Sequence, residues 1–297
     1  MNIRVKNLSS GISTVTINEP KTYNALSFKN LNDLIKVFKK LDKDKKTKVI
    51  ILEGSGKGFS AGHNLKEVKN LNDLIKVFKK LDKDKKTKVI ILEGSGKGFS
   101  AGHNLKEVKN LKLRNKYQKL FNLCSKLMLQ IVEGKKPVIA KVHGAAYAAG
   151  CQLVASCDLA YSTTDALFAT PGVNIGLFCS TPMVAVSRKI NRKPMMKMLL
   201  TGEPIKANYA KEIGLINDCF SKSKLNSEVI KVAKKIASKS NLTIKIGKQA
   251  FYKQLEMPLR KAYAYTSKMM TLNMMAMDAK EGISAFLEKR KPKWKNK

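Results

Sequence analysis

An α/β fold is predicted by three features of the chain. Short runs rich in Val and Ile alternate with stretches whose apolar residues recur at helical spacing. Two of those runs end in loops of small residues that lead into helix starts. Beyond Pro194 the sequence turns mostly helical. These features divide the chain into an α/β core over residues 1–200 and a helical region over 201–297.

Val5 and Thr14-Val15-Thr16-Ile17 read as short strands around a Ser9-Ser10-Gly11 turn. Ser27 is a candidate N-cap for a helix whose Leu31, Leu34, Ile35, Phe38 and Leu41 share one face. A buried-type strand follows at 48–53. Residues 69–108 repeat residues 29–68 without a change, so a second helix, strand and loop come next. A helix is predicted over 111–132, with Leu120, Phe121, Cys124, Leu127, Met128 and Ile131 apolar. A strand at 137–142 leads into the small-residue loop 143–150, then a short helix at 151–156 and a strand at 158–162. The segment 259–277 carries Met269, Met270, Met274, Met275 and Met277, a stripe expected in a core or subunit interface.

The repeat has two units and nothing downstream continues its period, which excludes a solenoid. It reads as a recent in-frame duplication or a sequence-assembly fault, with a second functional half-site as the alternative. Because the copies are identical, only their covalent neighbours can decide which one is used. The second copy runs directly into helix 111–132 and strand 137–142, while the first helix follows directly on strand 12–18. A hybrid is therefore expected, with the helix from copy one, the loop from copy two and residues 48–87 displaced.

The formal charge is +36, and removing one repeat unit would leave +31. The excess is nearly all lysine, since there are only six arginines. Such a surface attracts anions but lacks the planar forks of specific phosphate recognition. Five scattered cysteines without a secretory signal point to a reducing compartment, and no pair of histidines has metal-ligand spacing with a carboxylate. No apolar run approaches the length needed to span a bilayer. A strand pattern begins almost at Met1, leaving no room for an obvious transit peptide, so a cytoplasmic location is expected, with the mitochondrial matrix as the alternative.

The chemistry resides in two loops. Phe99-Ser100-Ala101-Gly102-His103-Asn104-Leu105-Lys106-Glu107 follows one strand, with its duplicate at 59–67. His143-Gly144-Ala145-Ala146-Tyr147-Ala148-Ala149-Gly150 follows another. Loops of this kind leave main-chain N–H groups free and let a ligand approach closely. Two such groups aimed at one point form an oxyanion hole, worth roughly 3 kcal/mol per donor to a developing negative oxygen.

With Asn24-Ala25-Leu26-Ser27 before them and Phe168-Ala169-Thr170-Pro171-Gly172 after them, these loops resemble the crotonase (enoyl-CoA hydratase/isomerase) superfamily. The resemblance covers nearly all of the chain except one repeat copy. It implies a spiral of ββα units, a C-terminal helical trimerisation region, and a homotrimer or dimer of trimers. It also implies an acyl-CoA thioester as ligand and no separate cofactor. Its first oxyanion donor falls on His103, or on His63 if the first copy is used, and its second on Ala149. Only the amide of the histidine is expected to matter. Asn104, Leu105 and Lys106 follow the first donor, with Lys106 (or Lys66) toward the coenzyme A phosphates, and Lys21 and Ala25 fall at the nucleotide end. One branch of the family binds RNA through a comb of lysines on the first helix. Lys36, Lys40 and Lys43 share such a face here, although the missing interleaved aromatics speak against base stacking.

The chain departs from the family's hydratase pattern at both carboxylates. Gln152 stands at the first glutamate position and Gly172 at the second. Glutamine can hydrogen-bond water but takes no proton at neutral pH, and glycine can do neither. Cys179, Ser180 and Thr181 lie just past the second position as possible replacement groups. The alternatives to an acyl-CoA enzyme are thus a non-catalytic acyl-CoA binder and an RNA binder.

Overall fold

A computed structural model of the protein describes residues 3–8, 11–17, 48–54, 67–84, 86–94, 98–103 and 105–297. Its main sheet has seven strands in the order β1 (Ile3–Leu8), β2 (Ile12–Ile17), β3 (Val49–Gly54), β4 (Val89–Glu93), β5 (Val138–Val142), β7 (Leu159–Thr163) and β10 (Asp218–Phe220). The pair β1–β2 is an antiparallel hairpin, and every later pairing in this sheet is parallel. A smaller sheet orders β6 (Ala145–Tyr147), β8 (Leu167–Ala169) and β9 (Ile205–Lys206).

Both faces of the main sheet are covered, which is why its strands are apolar in nearly continuous runs. Ile50, Ile90, Leu92, Val138, Ala140 and Val142 point into one core. Val49, Ile51, Val89, Ile91 and Ile139 point into the other. The first core is closed by α1 (Glu67–Lys83), α3 (Arg114–Val132) and α4 (Ala149–Ser156). The second is closed by Leu225, Val229, Ala233 and Ala237 of α8 (Lys222–Ala237). A six-residue α2 (Leu105–Asn110) precedes α3, ahead of the helix expected to begin at 111.

The fate of the duplicated unit corrects the expected hybrid. Of the segment expected to be displaced, the described residues 48–54, 67–84 and 86–87 are built into the fold. Strand β3 sits between β2 and β4, and it pairs with its own copy in register, Val49 beside Val89 and Glu53 beside Glu93. The helix that packs along α3 is α1, which belongs largely to the second copy. The first-copy helix expected from Ser27 lies outside the described residues. The physical reason is burial. Val49, Ile50 and Ile51 are each at most 4% exposed, and each such side chain is worth about 1.5–3 kcal/mol when buried. Looping the strand into water would forfeit that, whereas a parallel sheet accepts another strand with the same two-residue alternation.

The second-copy helix is tied down at its C-terminal end. Asp82 accepts from Gln130 Nε2 at 3.1 Å and from the Lys135 amide at 2.9 Å. Asp84 accepts from the amides of Lys86 and Thr87, both at 2.9 Å. Toward the C-terminus come α5 (Ser180–Val186), α6 (Arg192–Thr201), α7 (Ala207–Glu212), α9 (Asn241–Gln254), α10 (Leu259–Met275) and α11 (Met277–Leu287). Asp158 joins this region to the core: its Oδ2 accepts from the Val138 amide and from Lys248 Nζ on α9, both at 2.7 Å. The same ammonium donates to the carbonyls of Ile131 and Lys136, each at 2.8 Å, so its three hydrogens are all used. The methionine stripe is not core: Met270, Met274, Met275 and Met277 are exposed, as are Leu259 and Tyr263. No helix among the described residues is long and apolar enough to cross a membrane.

Candidate active site

Strand β4 delivers the loop 98–103, and β5 delivers the loop that contains β6 and starts α4. The two loops are laced together by main-chain hydrogen bonds. The Ser100 amide donates to Ala145 O at 3.1 Å, and the Tyr147 amide donates to Ser100 O at 2.8 Å. The small residues make this approach possible. A methyl group on Gly98 would lie 2.8 Å from the Ala145 nitrogen, and one on Gly150 would lie 2.2 Å from the Ser100 oxygen.

Further along the loop, Gly102 has φ of 89°, and a methyl group there would lie 3.1 Å from the Ala149 nitrogen. His103 and Ala149 therefore stand on adjoining turns. Ala149 is the first residue of α4, and N–H groups in the first turn of a helix have no partner within it. The residue before it, Ala148, holds φ of 49° and ψ of −117°, a conformation L-residues rarely adopt. Its amide donates to Ala169 O at 2.9 Å, which ties the turn to β8.

Helix α3 forms a wall shared by both loops. The His103 ring meets Phe121 edge-on with centroids 5.9 Å apart. One turn further along α3, the Cys124 thiol donates to Gln152 Oε1 at 3.7 Å. Gln152 follows Ala149 by three residues, so the two share a face of α4. It is 3% exposed.

The position of the missing second carboxylate is filled. The Gly172 amide donates to Cys179 Sγ at 3.3 Å. A methyl group at Gly172 would lie 2.6 Å from Leu177 O and 2.9 Å from that sulfur. Burial pushes the Cys179 thiol up from its ordinary value, opposed by the Gly172 N–H. Cys151, in the first turn of α4, is pushed up to about 12 by burial first and then by Cys179. Of the other residues past Gly172, Ser180 donates to the Phe178 carbonyl at 3.3 Å and is exposed.

Gly102, His103, Ala149 and Gln152 are thus brought together, and Gly172 lies on the segment that follows β8. Leu105 is exposed at the start of α2, and Lys106 is the next residue of that helix. His63, Lys21, Ala25 and Asn104 lie outside the described residues, as do Lys36, Lys40 and Lys43. Phe121, Cys124 and the strained Ala148 went unrecognised as site residues. The spacing of Phe121 and Cys124 marks only an apolar helix face, and nothing in an Ala-Ala pair announces a positive φ.

This architecture and its two laced loops define a member of the enoyl-CoA hydratase/isomerase family, to which the chain belongs. The family's model matches residues 7–72 and again 68–297, the overlap falling where one repeat copy meets the next. Human enoyl-CoA hydratase domain-containing protein 3, mitochondrial, is 49% identical over 284 residues, 96% of this chain and 80% of that protein. The crystal structure of the human protein has a TM-score of 0.73 at 38% identity, covering 99% of this chain and 100% of that one. The structure of an enoyl-CoA hydratase from Mycobacterium smegmatis gives the same TM-score at 39% identity over 99% of both chains. Mitochondrial enoyl-CoA hydratase of Pongo abelii is 34% identical over 99% of this chain and 86% of its own length. The crotonase resemblance read from the loop motifs is borne out, and so is the α/β class.

Proposed function

We propose that the protein binds an acyl-CoA thioester whose carbonyl oxygen accepts hydrogen bonds from the main-chain amides of His103 and Ala149. The observation that carries this reading is the contact of Gly102 with the first turn of α4, with 3.1 Å between a methyl at 102 and the Ala149 nitrogen. The start of α4 adds the positive end of a helix dipole, which favours charge building on that oxygen. The net charge of +36 on the chain favours the phosphates of coenzyme A. Lyase or isomerase chemistry through a stabilised enolate is the expected activity.

Water addition by a pair of carboxylates is not part of this reading. Gln152 has no proton-accepting charge, and Cys179 sulfur stands where a side chain at 172 would begin. Binding therefore exceeds hydration as the expected property. The test is calorimetry with acetoacetyl-CoA beside turnover of short- and medium-chain enoyl-CoA. Binding with turnover supports an enzyme, binding without turnover supports an acyl-CoA sensor or carrier, and no binding removes both.

The human and Pongo abelii relatives, both named as mitochondrial, favour a mitochondrial location over the cytoplasmic expectation. The exposed apolar face of α10, with Leu259, Tyr263, Met270 and Met274, favours a homotrimer or a dimer of trimers built through the C-terminal helices. Sedimentation equilibrium reads this directly, and a monomer at micromolar concentration would end it.

A further inference from the structure

We propose that the surface where the C-terminal tail crosses the end of α8 is a docking site for anionic lipid bilayers. On this account the protein rests on the headgroups of such a bilayer and does not enter it.

Three distant segments meet at this surface. The Trp294 indole N–H donates to Ser238 O at 2.8 Å, just past the last residue of α8. The Asn241 amide donates to Asn296 Oδ1 at 2.9 Å. Lys88, the residue before β4, donates from its Nζ to Lys239 O at 3.2 Å and from its amide to Lys48 O at 3.0 Å. The tail, the end of α8 and the starts of β3 and β4 are thereby joined. Lys234, Lys235 and Lys239 come from the helix end, and Lys293, Lys295 and Lys297 from the tail; all six are exposed.

Their charge is not neutralised locally. None of the six forms an ion pair among the described residues. The acids beside them are engaged elsewhere. Asp278 is 2% exposed and accepts from Ser240 Oγ and from the amides of Lys295 and Asn296. Glu281 and Glu288 both hold Arg290. The duplication adds to the crowding of cations. The Lys88 amine is held below its ordinary value by burial first and then by Lys48, its own copy at the start of β3, with Asp278 opposing.

The chemistry of the patch says what it fits. Arg290, the residue type suited to gripping one phosphate or base edge, is taken by Glu281 and Glu288. Trp294, the ring suited to stacking a base, is held by Ser238 and lies against Gly282, where a methyl group would stand 3.2 Å from the indole. Ammonium groups remain, and these compact charges hold a diffuse negative surface by their number. A bilayer of anionic headgroups is such a surface, whereas a single nucleic-acid strand is held along a groove with its bases stacked. None of the six lysines lies on α10, whose apolar face is assigned above to subunit contacts.

The experiment is co-sedimentation of the full chain with phosphatidylcholine vesicles, with and without phosphatidylserine. A net charge of +36 draws every face of the chain toward anions, so the comparison needs a charge-matched control. The patch variant carries Lys234→Gln, Lys235→Gln, Lys293→Gln and Lys295→Gln. The control carries Lys116→Gln, Lys119→Gln, Lys126→Gln and Lys193→Gln, all exposed and all outside the patch. The wild type is expected to bind the phosphatidylserine vesicles and to leave the neutral ones. The patch variant is expected to lose about a hundredfold or more in partition, since each lysine close to such a surface is worth about fivefold. The control is expected to lose less than about tenfold, because its charges stand beyond the reach of screened attraction. Circular dichroism melting establishes that the variants are folded. Should the tail changes unfold the chain, Lys234→Gln with Lys235→Gln alone is expected to lose about tenfold or more. Wild-type indifference to phosphatidylserine, or equal losses in patch and control variants, overturns the inference. Patch-dependent binding of polyuridylate by a chain that ignores the vesicles overturns it in favour of a nucleic acid.

Discussion

Ala148 carries a left-handed backbone turn that costs about 1–3 kcal/mol in a residue with a side chain. The strain is held by its hydrogen bond to Ala169 and by the close approach of Gly102, and it sets the direction in which α4 begins. Gly172 shows the opposite case, a glycine required by crowding. Gly172→Glu, the substitution that restores the family's carboxylate by name, is expected to destabilise the fold by about 1–3 kcal/mol and to leave crotonyl-CoA hydration unrestored. Urea midpoints and a hydration assay check both; a stable, fast hydratase would contradict the packing argument. The two proposed donor positions, His103 and Ala149, came from the family resemblance, since a small-residue loop alone carries little signal. The role of Cys179 was only half legible: its sequence position drew notice, but its contact with Gly172 depends on a turn through Leu177. The buried thiols also set a pH dependence. Cys151 is held up to about 12 from 9.0 in the folded state, so the folded chain keeps a proton that the unfolded chain loses. That contribution is complete below pH 9 and is lost as pH rises toward 12. Urea midpoints are expected to fall over this window and to fall less in Cys151→Ala; a flat profile would contradict the burial.

At the scale of elements, the duplicated strand is the informative case. Each of its two faces continues the faces of its neighbours, so the sheet takes it in as a seventh strand. Periodicity revealed both strands but not their places, because identical segments have identical propensities and only burial separates inclusion from exposure. Removing one forty-residue unit yields the same sequence wherever the cut falls between residues 29 and 108. The shortened chain is expected to fold with a six-stranded main sheet, in which β2 pairs with the remaining strand, and to keep its thioester affinity within about threefold, as the site loop is untouched. Circular dichroism melting and calorimetry measure this. A shortened chain that does not fold would show that β3 has become indispensable. The short strands β6, β8, β9 and β10 escaped the sequence reading because two or three residues carry too little alternation to register.

Across the whole molecule, the C-terminal helices are held to the α/β core through few polar contacts, of which Lys248 with Asp158 is the most buried ion pair among the described residues, at 5% and 16% side-chain exposure. Lys248→Met removes the cation from Asp158, which keeps the Val138 amide, and the donor from two carbonyls, and is expected to cost about 3–5 kcal/mol. Chemical denaturation reads it, and a loss under 1 kcal/mol, the range of a surface pair, would mean that water replaces the ammonium. A second clasp closes the tail: Asp278 accepts from Ser240 Oγ at 2.5 Å and from the amides of Lys295 and Asn296 at 2.7 and 3.0 Å. The helical character of this region was plain from periodicity, whereas its attachment was not, since Asp158 and Lys248 are ninety residues apart with nothing in either neighbourhood to link them.

Two main-chain amides on adjoining turns are proposed to grip one thioester oxygen. Calorimetry of butyryl-CoA against its S-butyl thioether, which keeps the chain and the phosphates but lacks the carbonyl, isolates that oxygen. The thioester is expected to bind about tenfold or more tightly, the worth of at least one buried hydrogen bond. Equal affinity for the two ligands would contradict it.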